Sequence, residues 1–177
     1  SWVAMAPVGT AAAPDSDVTP GASAICYMTG NINSSQAGDP GVNDVDNGTT
    51  ELLSAIYDLE GASTVPISYW RWYSNDVGGA VDDTFYVDVT NDGGDNWVNV
   101  ETIGPGHPDA SGGWVRHSFE LADYVLPTAE VRLRFVASDL GAGSIVEAAL
   151  DDVRIDRFVC ADCNGNRIAD GCNIAAG

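Results

Sequence analysis

EVRLRFVASD (130–139) and, four residues later, SIVEAALDDVRI (144–155) decide the fold. In the first, Val131, Leu133 and Phe135 alternate with Arg132 and Arg134. That period of two is the pattern of a strand with one face in a core and the other toward water. The second begins as an almost unbroken apolar run, the pattern of a strand covered on both faces. TFYVDVTN (84–91) repeats the alternation, with Phe85, Val87 and Val89 opposed to Tyr86, Asp88 and Thr90. TELLSAIYDL (50–59), VPISYWRWYS (65–74), WVNVETI (97–103) and WVRHSFEL (114–121) are equally rich in β-branched and aromatic residues. Gly, Pro, Asn and Asp punctuate them, and no window of similar length carries a helical period. The sequence therefore predicts an all-β fold: a two-sheet antiparallel β-sandwich of jelly-roll type. Residues 1–159 form the sandwich, with 1–23 as an extended N-terminal segment, and 160–177 form a short tail.

Composition narrows the partners. The 177 residues carry a formal charge of −19, with seven arginines and no lysine. Such a surface repels phosphate backbones and anionic lipids, which excludes nucleic acid and favours cations. A hydrophobic content of 45%, with five Trp and six Tyr, separates the chain from acidic disordered segments. No apolar run approaches the roughly 18 residues of a membrane-spanning helix, so membrane insertion is not expected. The opening SWVAMAPVGTAAAP has no charged leader and fits a mature secreted protein, so an extracellular or cell-surface location is expected.

The cysteines are Cys26, Cys160, Cys163 and Cys172. An even number in an acidic chain points to disulfides. Of three connectivities, Cys163–Cys172 would close the tail, and Cys26–Cys160 would tie an early strand to the end of the last one. A zinc site on Cys160-x-x-Cys163 is the alternative, though no further soft ligand stands nearby.

The tail, DCNGNRIADGCNI (162–174), spaces oxygen ligands as a calcium loop does. Asp162, Asn164, Asn166 and Asp170 fall at its first, third, fifth and ninth positions and Asn173 at its twelfth, with the Ile168 carbonyl at the seventh. Ca2+ is the expected cofactor. Arg167 where glycine is usual, and Asn173 in place of a bidentate Glu, weaken the match. An Asn/Asp-rich turn is the plain alternative. This stretch resembles dockerin and thrombospondin type 3 calcium repeats. A second acidic set, Asp44 and Asp46 with Glu147, Asp151 and Asp152, suits either a second metal or ion pairs with arginines such as Arg132, Arg134 and Arg154. TNDGGDNW (90–97) resembles the Asp-box hairpin, a structural turn. Asn33 and Asn47 head glycosylation sequons.

Taken together, PVGT, PDSDVTPG and CYMTGN, then ISYWRWYSND, RFVASDLGAGSIVEAALDDVRI and the tail, resemble bacterial extracellular β-sandwich modules. These are MAM-like or lectin-like in shape. They follow secreted metallopeptidases or sit in large surface proteins of planctomycete-type bacteria. The resemblance implies a secreted, non-catalytic interaction domain and names no ligand.

No HExxH, GxSxG or P-loop is present, and the two histidines, His107 and His117, nominate no catalytic site, so no enzyme is expected. Two kinds of binding compete. In the first, the uncharged N-terminus completes a neighbour's sheet through Trp2, Val3 and Met5, making the protein a self-associating subunit of a filament or appendage. In the second, it is an accessory module that binds carbohydrate or protein. Trp70, Trp72 and Tyr73 around Arg71 would then stack on sugars, or else pack on both faces of a central strand.

Overall fold

The computed structural model describes residues 1–19, 24–30, 41–42, 44–141 and 143–159. Nine strands are defined: β1 (Trp2–Met5), β2 (Cys26–Thr29), β3 (Gly48–Leu53), β4 (Pro66–Gly78), β5 (Phe85–Thr90), β6 (Val98–Ile103), β7 (Val115–Glu120), β8 (Arg132–Asp139) and β9 (Ser144–Ile155). They form a five-stranded sheet, β1-β2-β9-β4-β7, and a four-stranded sheet, β3-β8-β5-β6, antiparallel throughout. From β2 to β9 the chain distributes its strands over two sheets in jelly-roll order, as the alternation predicts.

Two differences from the sequence reading have clear causes. β1 and β2 lie in a stretch whose Gly, Ala and Pro content hides short strands; β2 gains its hydrogen bonds from the edge of β9, and β1 from β2. Conversely, β3 ends at Leu53, and only Tyr57 of residues 54–59 keeps a bridge, to Val131. The Ser54 hydroxyl accepts from the Leu133 N–H and donates to the Ala55 carbonyl, which diverts the chain from the ladder.

The inner faces hold Ile67, Tyr69 and Tyr73 of β4, Phe85, Val87 and Val89 of β5, Leu133 and Phe135 of β8, and Val146, Ala148 and Leu150 of β9. Tyr69 meets Phe135 edge to face. A fully buried side chain of this size contributes roughly 1.5–3 kcal/mol. The β5–β6 hairpin is held as an Asp-box would hold it. Asp92 accepts from the Thr90 hydroxyl and the Asn96 N–H, Gly93 and Gly94 take φ of 76° and 120°, and Trp97 packs against Gly94.

The outer face of the five-stranded sheet has its own cover. Ala13, Cys26, Met28 and Ala149 form a second apolar cluster with Val3, Trp72 and Trp114. The N-terminal segment lies across it. The Trp72 indole donates to the Ala12 carbonyl at 2.7 Å, the Trp114 indole to the Ser16 carbonyl at 2.9 Å, and the Val18 N–H to Asp151 at 3.0 Å. The segment that sequence reading offered to a neighbouring copy therefore folds onto its own sandwich. β1 pairs with β2, and Trp2 packs against the main core. Cys26 is buried within this cluster and free among the described residues; Cys160, to which the sequence pairs it, lies outside them. Burial pushes the Cys26 pKa up to about 12, helped by the charges of Asp151 and Asp17, so it stays an unreactive thiol.

One charged network sits between the sheets. Arg71, on the inner face of β4, is 2% exposed. Its guanidinium donates twice to one Glu101 oxygen, at 2.7 and 2.9 Å, and once to Asp109 at 2.8 Å. Tyr69 donates its hydroxyl to the other Glu101 oxygen, and His117 Nδ1 stands 3.3 Å from the first. Burial raises the Glu101 pKa, but hydrogen bonds from His117 and Arg71, with the Arg71 charge, outweigh it and hold the carboxyl down to about 2. Removing one partner of a buried pair strands the other charge, at a cost of about 3–5 kcal/mol. Arg71→Ala is therefore expected to lower stability by that amount in chemical denaturation. Arg71→Ala combined with Glu101→Gln and Asp109→Asn should recover part of the loss; additive losses would contradict the network.

Candidate functional site on the five-stranded sheet

Alternation on β4 divides the aromatic cluster that the sequence singled out. Arg71 and Tyr73 face inward and are buried, and Trp70 and Trp72 face outward. Trp72 donates to the Ala12 carbonyl of the N-terminal segment, and Val18 and Thr19 of the same segment reach Asp151, the register neighbour of Trp70. The Trp70 indole makes no hydrogen bond among the described residues, and its ring is half-buried.

The residues beside Trp70 are set by register. Arg116 of β7 pairs with Trp70 on one side and Asp151 of β9 on the other. One step along, Ser68 lies between Ser118 and Arg154. A bulge at Asp152 and Val153, with Asp152 at φ 48°, brings Arg154 back to this face. A shallow cleft results, lined by Pro66, Ser68, Arg116, Ser118, Arg154 and Asp156. Arg116 donates to the Ser68 hydroxyl at 3.0 Å and pairs with no carboxylate among the described residues. Arg154 holds Asp156 at 2.9 Å but is 67% exposed. In a chain with a net charge of −19, this face concentrates donors beside a half-buried aromatic ring.

The four-stranded sheet differs. Its outer face also has aromatics, but Arg134 lies 4.4 Å over the Trp97 ring and binds Asp88 at 2.7 Å, and Asn99 donates to Asp88. Those groups satisfy one another. A cleft of about 220 Å³ opens between the sheets beside Tyr27, Leu52, Leu53, Tyr57 and Val153, but its lining is largely apolar and offers few groups to orient a ligand.

The second acidic set is not drawn into one cage. Among the described residues, no group of three or more His, Cys, Asp or Glu side chains is placed to hold a metal. Glu147 is buried and accepts from the Thr29 hydroxyl at 2.9 Å. Asp44 is half-buried nearby, because Val45 bridges to Val146. Asp151 accepts from Val18 on the covered face, while Asp46 and Asp152 are exposed. The arginine alternative fares no better, since Arg132 donates to the Ser54 carbonyl, Arg134 binds Asp88 and Arg154 binds Asp156. Asn47 is exposed at the entry to β3. Asn33, Cys160, Cys163, Cys172 and the loop ligands Asp162, Asn164, Asn166, Ile168, Asp170 and Asn173 lie outside the described residues.

The two histidines lie in different settings. His107 Nδ1 accepts from the Asp109 N–H in a short turn, and His117 leans on Glu101. No hydroxyl or thiol is hydrogen-bonded to either among the described residues.

No family model matches the sequence, and no curated protein matches it. Solved structures offer distant likenesses. The K1 cleaved adhesin domain of Lys-gingipain from Porphyromonas gingivalis W83 is 17% identical, with a TM-score of 0.47 over 88% of this chain and 89% of that one. The K3 domain of the same protein is 16% identical, with a TM-score of 0.45 over 87% and 90%. A non-crystalline cellulose specific carbohydrate-binding module, CBM28, is 11% identical, with a TM-score of 0.46 over 88% and 87%. Likenesses at this level assign no function to the chain.

Glu147 supplies a test of the site's surroundings. Burial, with the nearby Asp44 charge, lifts its pKa from 4.5 to about 9 against the opposing Thr29 hydrogen bond. The folded state thus holds a proton that the unfolded chain has released. Its stabilisation is complete below about pH 4.5 and is lost as pH rises through about 9. The melting temperature should decline across that window, and Glu147→Gln should flatten the decline. An unchanged slope in the variant would refute the protonated carboxyl.

Proposed function

We propose that this domain is a non-catalytic, extracellular binding module that takes carbohydrate on the outer face of its five-stranded sheet. The observation that carries this reading is the β7 side of that face, where the half-buried Trp70 stands beside Arg116, with Ser68, Ser118 and Arg154 one step along. A pyranose ring offers an apolar C–H face to an indole and hydroxyls to flanking donors. Here the stacking surface and the donors are mounted on three paired strands, so little ordering cost remains at binding. The histidine environments support a non-catalytic role. The filament reading draws no support from the fold, because Trp2 and Val3 are engaged within their own chain. Calcium held by Asp162, Asn164, Asn166, Asp170 and Asn173 belongs to the same proposal, as a stabiliser of the tail.

The test is titration calorimetry of the whole chain against soluble polysaccharides, neutral and acidic. Trp70→Ala removes a stacking surface worth roughly 1.5–3 kcal/mol, about a 10- to 100-fold weaker Kd. Trp70→Phe should retain part of the affinity, and Arg116→Ala should weaken binding without changing the circular dichroism spectrum. Wild-type affinity in Trp70→Ala, or no binding by wild type to any polysaccharide, would overturn the reading.

A further inference from the structure

At one end of the sandwich the inner layer stops being apolar. Each of four strands, two from each sheet, follows its last apolar core residue with an oxygen-bearing one two positions on. On β4, Asn75 follows Tyr73, and on β8, Asp139 follows Ala137. At the start of β9, Ser144 precedes Val146, and just before β5, Asp83 precedes Phe85. Period-two geometry points all four inward. Their exposures are 4% for Asn75, Asp83 and Asp139 and 7% for Ser144, and the Tyr73 side chain is fully buried.

The internal bonding of this layer is incomplete. Ser144 donates to Asp83 at 2.6 Å and lies 3.5 Å from Asp139, so the hydroxyl links the two carboxylates. Asp83 also accepts the Leu140 N–H at 2.7 Å. No arginine or histidine pairs with either carboxylate among the described residues. Two buried carboxylates without a counter-charge are costly. Beside them, both polar atoms of the Asn75 amide are buried without a hydrogen-bond partner, as is the Tyr73 hydroxyl that the amide approaches. The same hydroxyl feels the charges of Asp83 and Asp139, and Asn75 lies on the inward side of β4 at this same end of the sandwich. An amide that could make four hydrogen bonds and makes none is, like the unpaired charges, an unmet demand at one point.

We propose that Asp83, Asp139 and Asn75, with the Ser144 and Tyr73 hydroxyls, form an interior site for a divalent cation, Ca2+, that ties the two sheets together at this end. The donors are all oxygens, as a hard cation requires, and two carboxylates match its charge. The set contains no nitrogen or sulfur ligand of the kind zinc selects. The site uses none of the tail-loop ligands and none of Asp44, Asp46, Glu147, Asp151 and Asp152. A shallow opening lined by Asp82, Asp83, Thr84, Ser138, Leu140 and Gly141 gives access from solvent. Because the ligands come from both sheets, binding favours the assembled sandwich and adds stability as RT ln(1 + [Ca2+]/Kd).

The experiment uses the whole chain carrying Asp162→Ala and Asp170→Ala, which disables the tail loop. Calcium alone is titrated by calorimetry, with melting followed in calcium and in chelator. Terbium replaces calcium in a luminescence assay, since Tyr73 lies close enough to sensitise it. We expect one bound calcium, a melting temperature that falls in chelator, and terbium emission that calcium displaces. Asp83→Asn should weaken binding at least about tenfold. Asn75→Asp distinguishes a site from a merely structural cluster: with a cation it should tighten binding and melt normally in calcium. If the cluster only shares a proton, the added carboxylate should destabilise the fold equally with and without calcium. That result, or an absence of calcium binding in the tail-disabled chain, would overturn the proposal. It leaves the Trp70 face untouched, so its failure is separable from failure of carbohydrate binding.

Discussion

The pairing of β4 with β9 is the constraint on which the rest of the structure depends. Both strands are central in the five-stranded sheet, and both have neighbours above and below. Because the side-chain period is two, one slip in their register would exchange the faces of every residue they carry. As paired, Arg71 enters the interior with Tyr69 and Tyr73, and Trp70 and Trp72 leave it. The Arg71 ion network, the aromatic platform and the polar layer at Asn75 are three outcomes of that single alignment. The irregularities at both ends of the pairing matter as much: one restores Arg154 to the outer face, and the other closes the β4 end near Val77.

The N-terminal segment shows how a sandwich sheds exposed apolar surface. Trp72 and Trp114 would otherwise form a broad aromatic patch with Trp70, and patches of that kind invite association. Backbone carbonyls from Ala12 and Ser16 satisfy two of the three indoles and cover them. The third indole, Trp70, is half-buried beside arginines and serines. The same segment places β1 beside β2, so the uncharged N-terminal strand contributes to its own domain.

Electrostatics runs through the whole molecule. With 26 acidic side chains against seven basic ones, most carboxylates cannot find an arginine. The structure meets this shortage in three ways. Glu101 and Asp109 share Arg71. Glu147 keeps its proton. Asp83 and Asp139 gather neutral oxygen donors around themselves, the arrangement read above as a cation site.

The sequence by itself determined the fold class, the strands from β3 to β9 and the Asp-box turn, because alternation and turn chemistry are local and each strand's inner face must be apolar. It also located the acidic residues and the aromatic run at 69–73 as the places where chemistry concentrates. It did not reveal β1 and β2, whose short segments become strands only when an existing edge supplies their hydrogen bonds. Nor could it say which of Trp70 and Trp72 the N-terminal segment holds, because the Ala12 carbonyl that Trp72 meets lies sixty positions away. It grouped Asp44, Asp46, Glu147, Asp151 and Asp152 by their chemistry, whereas the tertiary structure forms no metal cage from them among the described residues and brings Asn75, Asp83, Asp139 and Ser144 to one end of the sandwich instead. Those four are spread over seventy residues and share no motif. Only the packing of one sheet on the other, with every strand in register, makes them neighbours.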